Sequence, residues 1–364
     1  MPRFILIALL TALLALAACG GQTAQTPVNT LEAAAPAATD ADLAAVKQYT
    51  LDQAQQMKTG SAALAAVAQT YYDLLASHNF DYAAAWAADA TTLTQLVADI
   101  KTHWLTASTH YELDEGIIAG VPSLAYYDVW IDAGPSAEEA PEEALEWTLT
   151  LPDGRELQSP GNFFHSLLEP AIWGTHGDFG GLAVDLDGDG ATQLGEALPD
   201  ANLLLAAAQG LDRATSEMIT AVQSWQPTLS DAFTALSVMI PTMNEYFEQW
   251  KLSSFVAGES SQEAAFIGTS RLFDINGILS GLDFTYDSLA ARVRTADPAL
   301  HDQIDAGFAD LRGYVGDLYE QEQAGRRFTA EQADLFGTEA QAKATALAGQ
   351  VSQAAALLNI VIAE

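Results

Sequence analysis

The stretch Asp185-Leu-Asp187-Gly-Asp189-Gly190-Ala-Thr-Gln193-Leu-Gly-Glu196 carries carboxylates at its first, third and fifth places, glycine at the sixth and glutamate at the twelfth. This is the ligand order of an EF-hand calcium loop. Alternate oxygens face inward along a tight coil, Gly190 permits the sharp turn, Ala191 offers its carbonyl, Gln193 stands at the ninth place, and Glu196 closes the shell with two oxygens. Thr192 occupies a place that is usually apolar, and no helix is legible just before Asp185, so an acidic glycine-rich turn without metal stays open as the second reading. If Ca2+ binds, its expected role is to pin the loop onto the following helix, because a single unpaired loop makes a poor sensor.

A second group lies in Phe163-Phe164-His165-Ser-Leu-Leu-Glu169-Pro170-Ala-Ile-Trp173-Gly174. Four apart on a helix, His165 and Glu169 share a face and can hold one ion through an imidazole nitrogen and a carboxylate oxygen. Pro170 favours a helix that begins near Glu169, which would leave His165 on the turn before it. A satisfied histidine beside a surface glutamate is the competing reading. Further upstream, Trp104, Ser108, Tyr111 and Glu115 recur every three or four residues along one stripe. The aromatic rings mark that stripe as buried, so Glu115 points inward and must be paired, protonated or metal-bound unless the helix ends before it. Glu112 and Asp114 fall off the stripe and are expected in solvent.

The elements that must position these groups are mostly helical. From Ala41 onward Ala, Leu, Gln and Glu dominate, with apolar residues three and four apart, which predicts helices over 41–77, 82–112, 200–224, 227–252, 261–285, 298–323 and 328–362. Asp297-Pro298 and Thr329 followed by Glu331-Gln332 are start signals. The fold class is all-α: two packed helical bundles, over 41–200 and 201–364, with a small loop and β-hairpin insertion. The hairpin is placed at Glu146–Leu151, Pro152-Asp153-Gly154 and Arg155–Leu157, inside a stretch 113–200 that is rich in Gly and Pro yet too aromatic for disorder.

The chain has 364 residues, 49% of them hydrophobic and 17% charged, enough to bury a real core. Its 14 Lys and Arg against 48 Asp and Glu give a formal net charge of −34. So few cations exclude a nucleic-acid binder, and the acidic exterior suits cation attraction or solubility in salt. Residues 1–18 read as an export signal, with Arg3 as the basic region and Phe4 to Ala18 as an apolar run too short to span a membrane. The run ends Leu16-Ala17-Ala18-Cys19, which resembles the lipobox of bacterial lipoproteins, where the cysteine is lipidated and becomes the new N-terminus. Cys19 is the sole cysteine, so disulfides and cysteine metal clusters within one chain are excluded. Residues 19–40 read as a flexible tether. Gly20-Gly21 in place of an aspartate retention signal points to the outer membrane, facing the periplasm.

The segment His165–Gly174 resembles the Gly-x-His-x-x-Glu…Trp-Gly motif of imelysin-like proteins, a group that includes lipid-anchored and periplasmic iron-uptake components. The stripe Trp104…Tyr111-Glu112…Glu115 is similar to the family's earlier Trp…Tyr…Glu segment, and Asp297-Pro298-Ala299-Leu300…Ile304-Asp305…Phe308 is similar to a stretch of its C-terminal half. The resemblance implies two four-helix bundles with a cleft between them. It also implies a metal site of His165, Glu169 and Glu115, with Asp274 and Asn276 as a fainter contribution from the second bundle. This chain departs from the pattern in a His-to-Glu gap of four instead of three, in Asn162 and Phe163 near the place of the glycine, and in Pro170. The function implied is a lipid-anchored envelope protein that captures iron or another divalent transition metal and works with an iron-uptake system. Two alternatives stand beside it: a metallopeptidase-like enzyme, since the wider family was first described as peptidases, and a calcium-stiffened interaction lipoprotein without a working iron site. Neither His-Glu-x-x-His nor Gly-x-Ser-x-Gly occurs to support the enzyme.

Overall fold

Long runs of strong helix formers give long helices here, and the breaks between them fall where glycine, proline or a capping residue intervenes. A computed structural model describes residues 40–261 and 263–363. The expected signal, Cys19 and the expected tether up to residue 39 lie outside the described residues, and Asp40 already begins the first helix. Helices α1 (Asp40–Ser77) and α2 (Tyr82–Ile118) form a hairpin whose turn is closed by Asp81, which caps α2 by accepting from the Ala84 amide. Gly60 allows the two to touch, since a Cβ there would stand 2.7 Å from the Ala107 nitrogen. Short pieces follow: α3 (Ala125–Asp128), a π-helix Val129–Ala133, strands β1 (Thr148–Thr150) and β2 (Glu156–Gln158), a second π-helix Phe163–Leu168, and α4 (Glu169–Ile172). Strands β3 (Gly180–Ala183) and β4 (Ala197–Pro199) precede α5 (Ala201–Ser224). The rest is α6 (Leu229–Met239), α7 (Met243–Leu252), α8 (Ser254–Ala257), α9 (Arg271–Ala296), α10 (Pro298–Gln323) and α11 (Ala330–Leu357).

Two hydrophobic cores result within one compact unit. The first joins α1, α2 and α5, with the short helical pieces in the place of a fourth rod. The second is built from α9, α10, α11 and the pair α6 and α7, which run on through a 3-10 turn at Ile240–Thr242 where Pro241 removes an amide donor. The fold is therefore all-α with a small hairpin insertion. The cores meet where α2 crosses α9, and glycines set that approach: a Cβ at Gly277 would stand 2.8 Å from the Glu112 Cβ, and one at Gly281 would stand 2.3 Å from the Leu113 carbonyl oxygen.

Several expectations are corrected. Helix α5 packs with the first core, which therefore runs past 200/201 to Trp225 and takes in Ala235 of α6. Helix α2 continues past 112 to Ile118. The helix expected over 261–285 starts at Arg271, because the preceding backbone turns its amides to a buried side chain. The hairpin β1–β2 pairs antiparallel with Leu149 opposite Leu157, around Gly154 at φ 89°. A second antiparallel pair, β3–β4, had no clear sequence signal and frames the 185–196 loop. Glu196 is thus followed by a strand, with the next helix beginning only at Ala201.

Candidate metal centre

The π-helix Phe163–Leu168 resolves the unusual spacing of the histidine motif. Its turn closes by a hydrogen bond from the Glu169 amide to the Phe164 carbonyl, five residues back. Such a turn holds one residue more than an α turn. The extra residue between His165 and Glu169 is absorbed there, and His165 Nδ1 stands 2.8 Å from Glu169 Oε2. Pro170 sits in the first turn of α4, where a missing N–H costs little. Asn162 caps the π-helix by accepting from the amides of His165 and Ser166, at 2.6 and 3.2 Å, and its own amide donates to the Gly134 carbonyl at 3.0 Å. Gly134 ends the other π-helix, Val129–Ala133, which carries Asp132.

Glu169 is fully buried, yet its carboxylate is saturated. It accepts from the amides of Phe266, Ile267 and Gly268 at 2.9, 2.8 and 2.7 Å, besides its contact with His165. Three convergent amides make a cradle for an anion. The expectation of Glu169 as a direct ligand does not fit this geometry, for its oxygens are turned to the backbone. Its place is behind the histidine, where it fixes the ring and leaves Nε2 to face the cluster. Gly268 must lack a side chain, since a Cβ there would stand 2.8 Å from the Trp173 ring. Trp173 packs edge-on against Trp104, which packs edge-on against His165.

On the Nε2 side lie carboxylates from α2, α3 and the first π-helix. Glu112, Glu115 and Asp132 are 1%, 3% and 2% exposed, and Asp128 is buried too. Ligand atoms of Glu112, Asp132 and His165 lie within 4.8 Å of one another, and so do those of Glu115, Asp128 and Asp132. Both oxygens of Glu112, both of Asp132, Glu115 Oε2 and His165 Nε2 have no hydrogen-bond partner. The 3.2 Å approach of His165 Nε2 to Asp132 Oδ1 is an ion-pair distance without hydrogen-bond alignment. Two tyrosines hold the outer carboxylates: Tyr246 donates to Glu115 Oε1 at 2.9 Å and Tyr111 to Asp128 Oδ1 at 2.7 Å. Arg271, the buried guanidinium beside the cluster, pairs with Asp274 at 3.2 Å and lies over the Tyr246 ring.

Crowded buried acids hold on to protons. Burial, then the charges of Asp274, Asp132 and Glu115, push Glu112 well above the usual carboxylate range. Burial and the neighbouring Glu115 and Asp132 do the same to Asp128. Glu115 is raised to about 7 by burial and Asp132. Burial pulls the His165 imidazole down, but Asp132 and Glu169 more than reverse this and hold it at about 10. A cavity of about 420 Å³ is lined by Glu115, Asp128, Asp132 and His165, and another of about 590 Å³, beside the β1–β2 hairpin, also reaches His165.

Of the residues read from the sequence, His165, Glu169 and Glu115 belong to this cluster, but not as three ligands of one ion. Glu115 groups with Asp128 and Asp132, and His165 with Glu112 and Asp132. Glu112 and Asp114, expected in solvent, are buried because α2 is enclosed on several sides. Asp114 faces α1 beside Thr50, where burial raises it well above the carboxylate range. Asp274 is taken up by Arg271, and the Asn276 amide donates to the Leu272 carbonyl of its own helix. Asp128 and Asp132 escaped notice. Their signal is a pair of acids four apart within the otherwise apolar and aromatic run Tyr126–Ala133.

In the second candidate site, Asp185 accepts from the amides of Gly188 and Gly190 at 2.7 and 2.9 Å. Asp189 accepts from the Ala191 amide and from Gln193 Nε2, and Asp187 from the Asp189 amide. Glu196 accepts from Leu186, Asp187 and Gln193. Gly188 and Gly190 take φ of 79° and 93°, the left-handed turns the coil requires. Oxygens of Asp185, Asp187 and Glu196 lie within 4.8 Å of one another. The donor set and the coil fit a hard cation such as Ca2+. Beyond this loop, Lys101 Nζ donates to the Gly195 carbonyl at 2.7 Å, which ties the loop to α2.

No curated protein matches the chain. The Imelysin family model matches residues 67–358, a span from within α1 to the end of α11 that takes in both cores, the two π-helices and the buried cluster. The chain belongs to the imelysin family.

Proposed function

We propose that this protein captures a divalent transition metal, iron in the first place, at the cell envelope and presents it to an uptake system. The observation that carries the reading is the set of buried, unpartnered ligand atoms of His165, Glu112 and Asp132. Burying such atoms without aligned hydrogen bonds is costly, and a cation removes that cost. One imidazole among carboxylates suits iron, manganese or zinc, and family membership favours iron. The net charge of −34 raises the local concentration of cations at the surface. Elemental analysis of the purified protein after anaerobic loading with ferrous iron tests the reading. Retained iron that a chelator removes supports it, and iron no higher than in a control protein overturns it.

Ca2+ in the 185–196 loop is the structural part of the proposal. Held by Asp185, Asp187, Asp189, Gln193 and Glu196, it stiffens the β3–β4 hairpin. At a hundredfold excess over Kd, binding to the folded state alone adds ~2.7 kcal/mol. Glu196→Gln is expected to remove most of the calcium-dependent rise in melting temperature. Identical melting of the unaltered protein in chelator and in millimolar calcium would reduce the loop to a turn.

Lipidation at Cys19 is the third part. Among the described residues no helix is long and apolar enough to cross a membrane. In this reading retention at the outer membrane, facing the periplasm, comes from acyl chains on Cys19, each buried CH2 contributing ~0.8 kcal/mol. Cys19→Ala is expected to abolish acyl labelling and release the protein from the membrane fraction. A variant that still fractionates with membranes contradicts the anchor.

A further inference from the structure

The two groups of ligand atoms share one residue. Asp132 belongs both to the set with Glu112 and His165 and to the set with Glu115 and Asp128. Both of its oxygens are buried and unpartnered. A carboxylate that belongs to two ligand sets, with no hydrogen bond on either oxygen, has the geometry to bridge two ions. We propose that the cluster holds two divalent cations at once, an inner ion on Glu112, Asp132 and His165 and an outer ion on Glu115, Asp128 and Asp132, with the Asp132 carboxylate spanning them. This rests on the metal-capture reading and adds a second ion to it.

Charge balance supports two ions over one. Glu169 is satisfied by its amide cradle and the His165 Nδ1 contact, and Asp274 is paired with Arg271. That leaves Glu112, Glu115, Asp128 and Asp132, of which Asp132 meets His165 Nε2 at 3.2 Å, a contact that an ion on that nitrogen would replace. One divalent ion offsets half of their charge and the second offsets the rest, as a low-dielectric site demands. The tyrosines fit the same plan. Tyr246 and Tyr111 each hold one oxygen of Glu115 and Asp128, which orients these carboxylates for the outer position while Glu115 Oε2 stays free. Glu115, Asp128 and Asp132 line the 420 Å³ cavity and Glu112 does not. All three outer ligands thus face the cavity, and of the inner set Asp132 and His165 do so too.

Manganese titration of the metal-stripped, detergent-solubilised full chain tests this, in a Glu196→Gln background so that the calcium-type loop does not contribute. Equilibrium dialysis is expected to give two Mn2+ per chain, and electron paramagnetic resonance a spin-coupled pair. Asp128→Asn is expected to lower the count to one and to abolish the coupling while the inner ion remains. Glu115→Gln should do the same, and serves if Asp128→Asn fails to keep the helical circular-dichroism spectrum. One uncoupled Mn2+ per chain before either substitution overturns the bridge and leaves single-ion capture standing. Two ions without coupling also overturn the bridge. No bound Mn2+ at all overturns the two-ion site, and ferrous loading then decides whether the capture reading stands.

Discussion

His165→Ala is expected to lower iron affinity by about 100-fold or more while helix content and calcium binding stay as they were. Loss of an outer-shell partner alone costs roughly 10–100-fold in metal affinity, and here a nitrogen ligand itself is removed. The fold should tolerate the change, because His165 lies in a π-helix already held by the Asn162 cap and the short helix after it. The same residue sets the pH dependence. In the metal-free protein the imidazole is held at about 10 and Glu115 at about 7, so near neutrality His165 carries a proton and Glu115 is about half protonated. An entering ion must displace those protons. Affinity is therefore expected to fall as pH falls, with at least one proton released per ion between pH 7 and 8 and more below 7. Titration in weak buffer reads that release directly, and iron binding of equal strength at pH 5.5 and 7.5 would contradict the assignment.

Glu169→Ala is expected to be the most destabilising single change near the site. It removes the acceptor of three backbone amides and the partner of His165 in one step. An orphaned buried donor costs ~1–3 kcal/mol, and water reaches the partly buried Ile267 and Gly268 amides, so a total of about 3 kcal/mol is expected. For a chain of 364 residues that corresponds to a fall in melting temperature of roughly 4 °C. Metal affinity should drop as well, by about 10–100-fold, because the ring loses its orienting partner. A Glu169→Ala protein that melts like the unaltered chain would show that the 266–268 backbone has other acceptors ready.

The long helices were legible because their apolar residues recur at helical spacing and their starts carry capping residues, as at Asp297 and Thr329. The site was legible only in part. Periodicity tells a buried stripe from an exposed one when a helix has one wet face, and the end of α2 has none, so Glu112 and Asp114 read as solvated. Asp128 and Asp132 straddle the end of α3 and a π-helix, where an α-helical template no longer assigns faces. The segment 261–270 looked helical from Ala264, Ala265, Phe266 and Ile267, yet its amides are engaged by a glutamate nearly one hundred residues earlier, a partner no local pattern reveals. In β3, Gly180-Gly181-Leu182-Ala183 is too short and too rich in glycine to announce a strand.

The π-helix at Phe163–Leu168 also bears on how such a chain tolerates change in its gene. One codon added inside an ordinary α-helix rotates every later side chain by about 100° relative to those before it. Here the widened turn takes up the added residue where it stands. His165 still meets Glu169, and Trp173 still packs on Trp104, although the motif is one residue too long. A motif written with a fixed gap of three would pass over this sequence, whereas one that allows a four-residue gap finds it. Conversely, deleting Ser166 or Leu167 is an in-frame change that the turn can take up by reverting to α-helical winding.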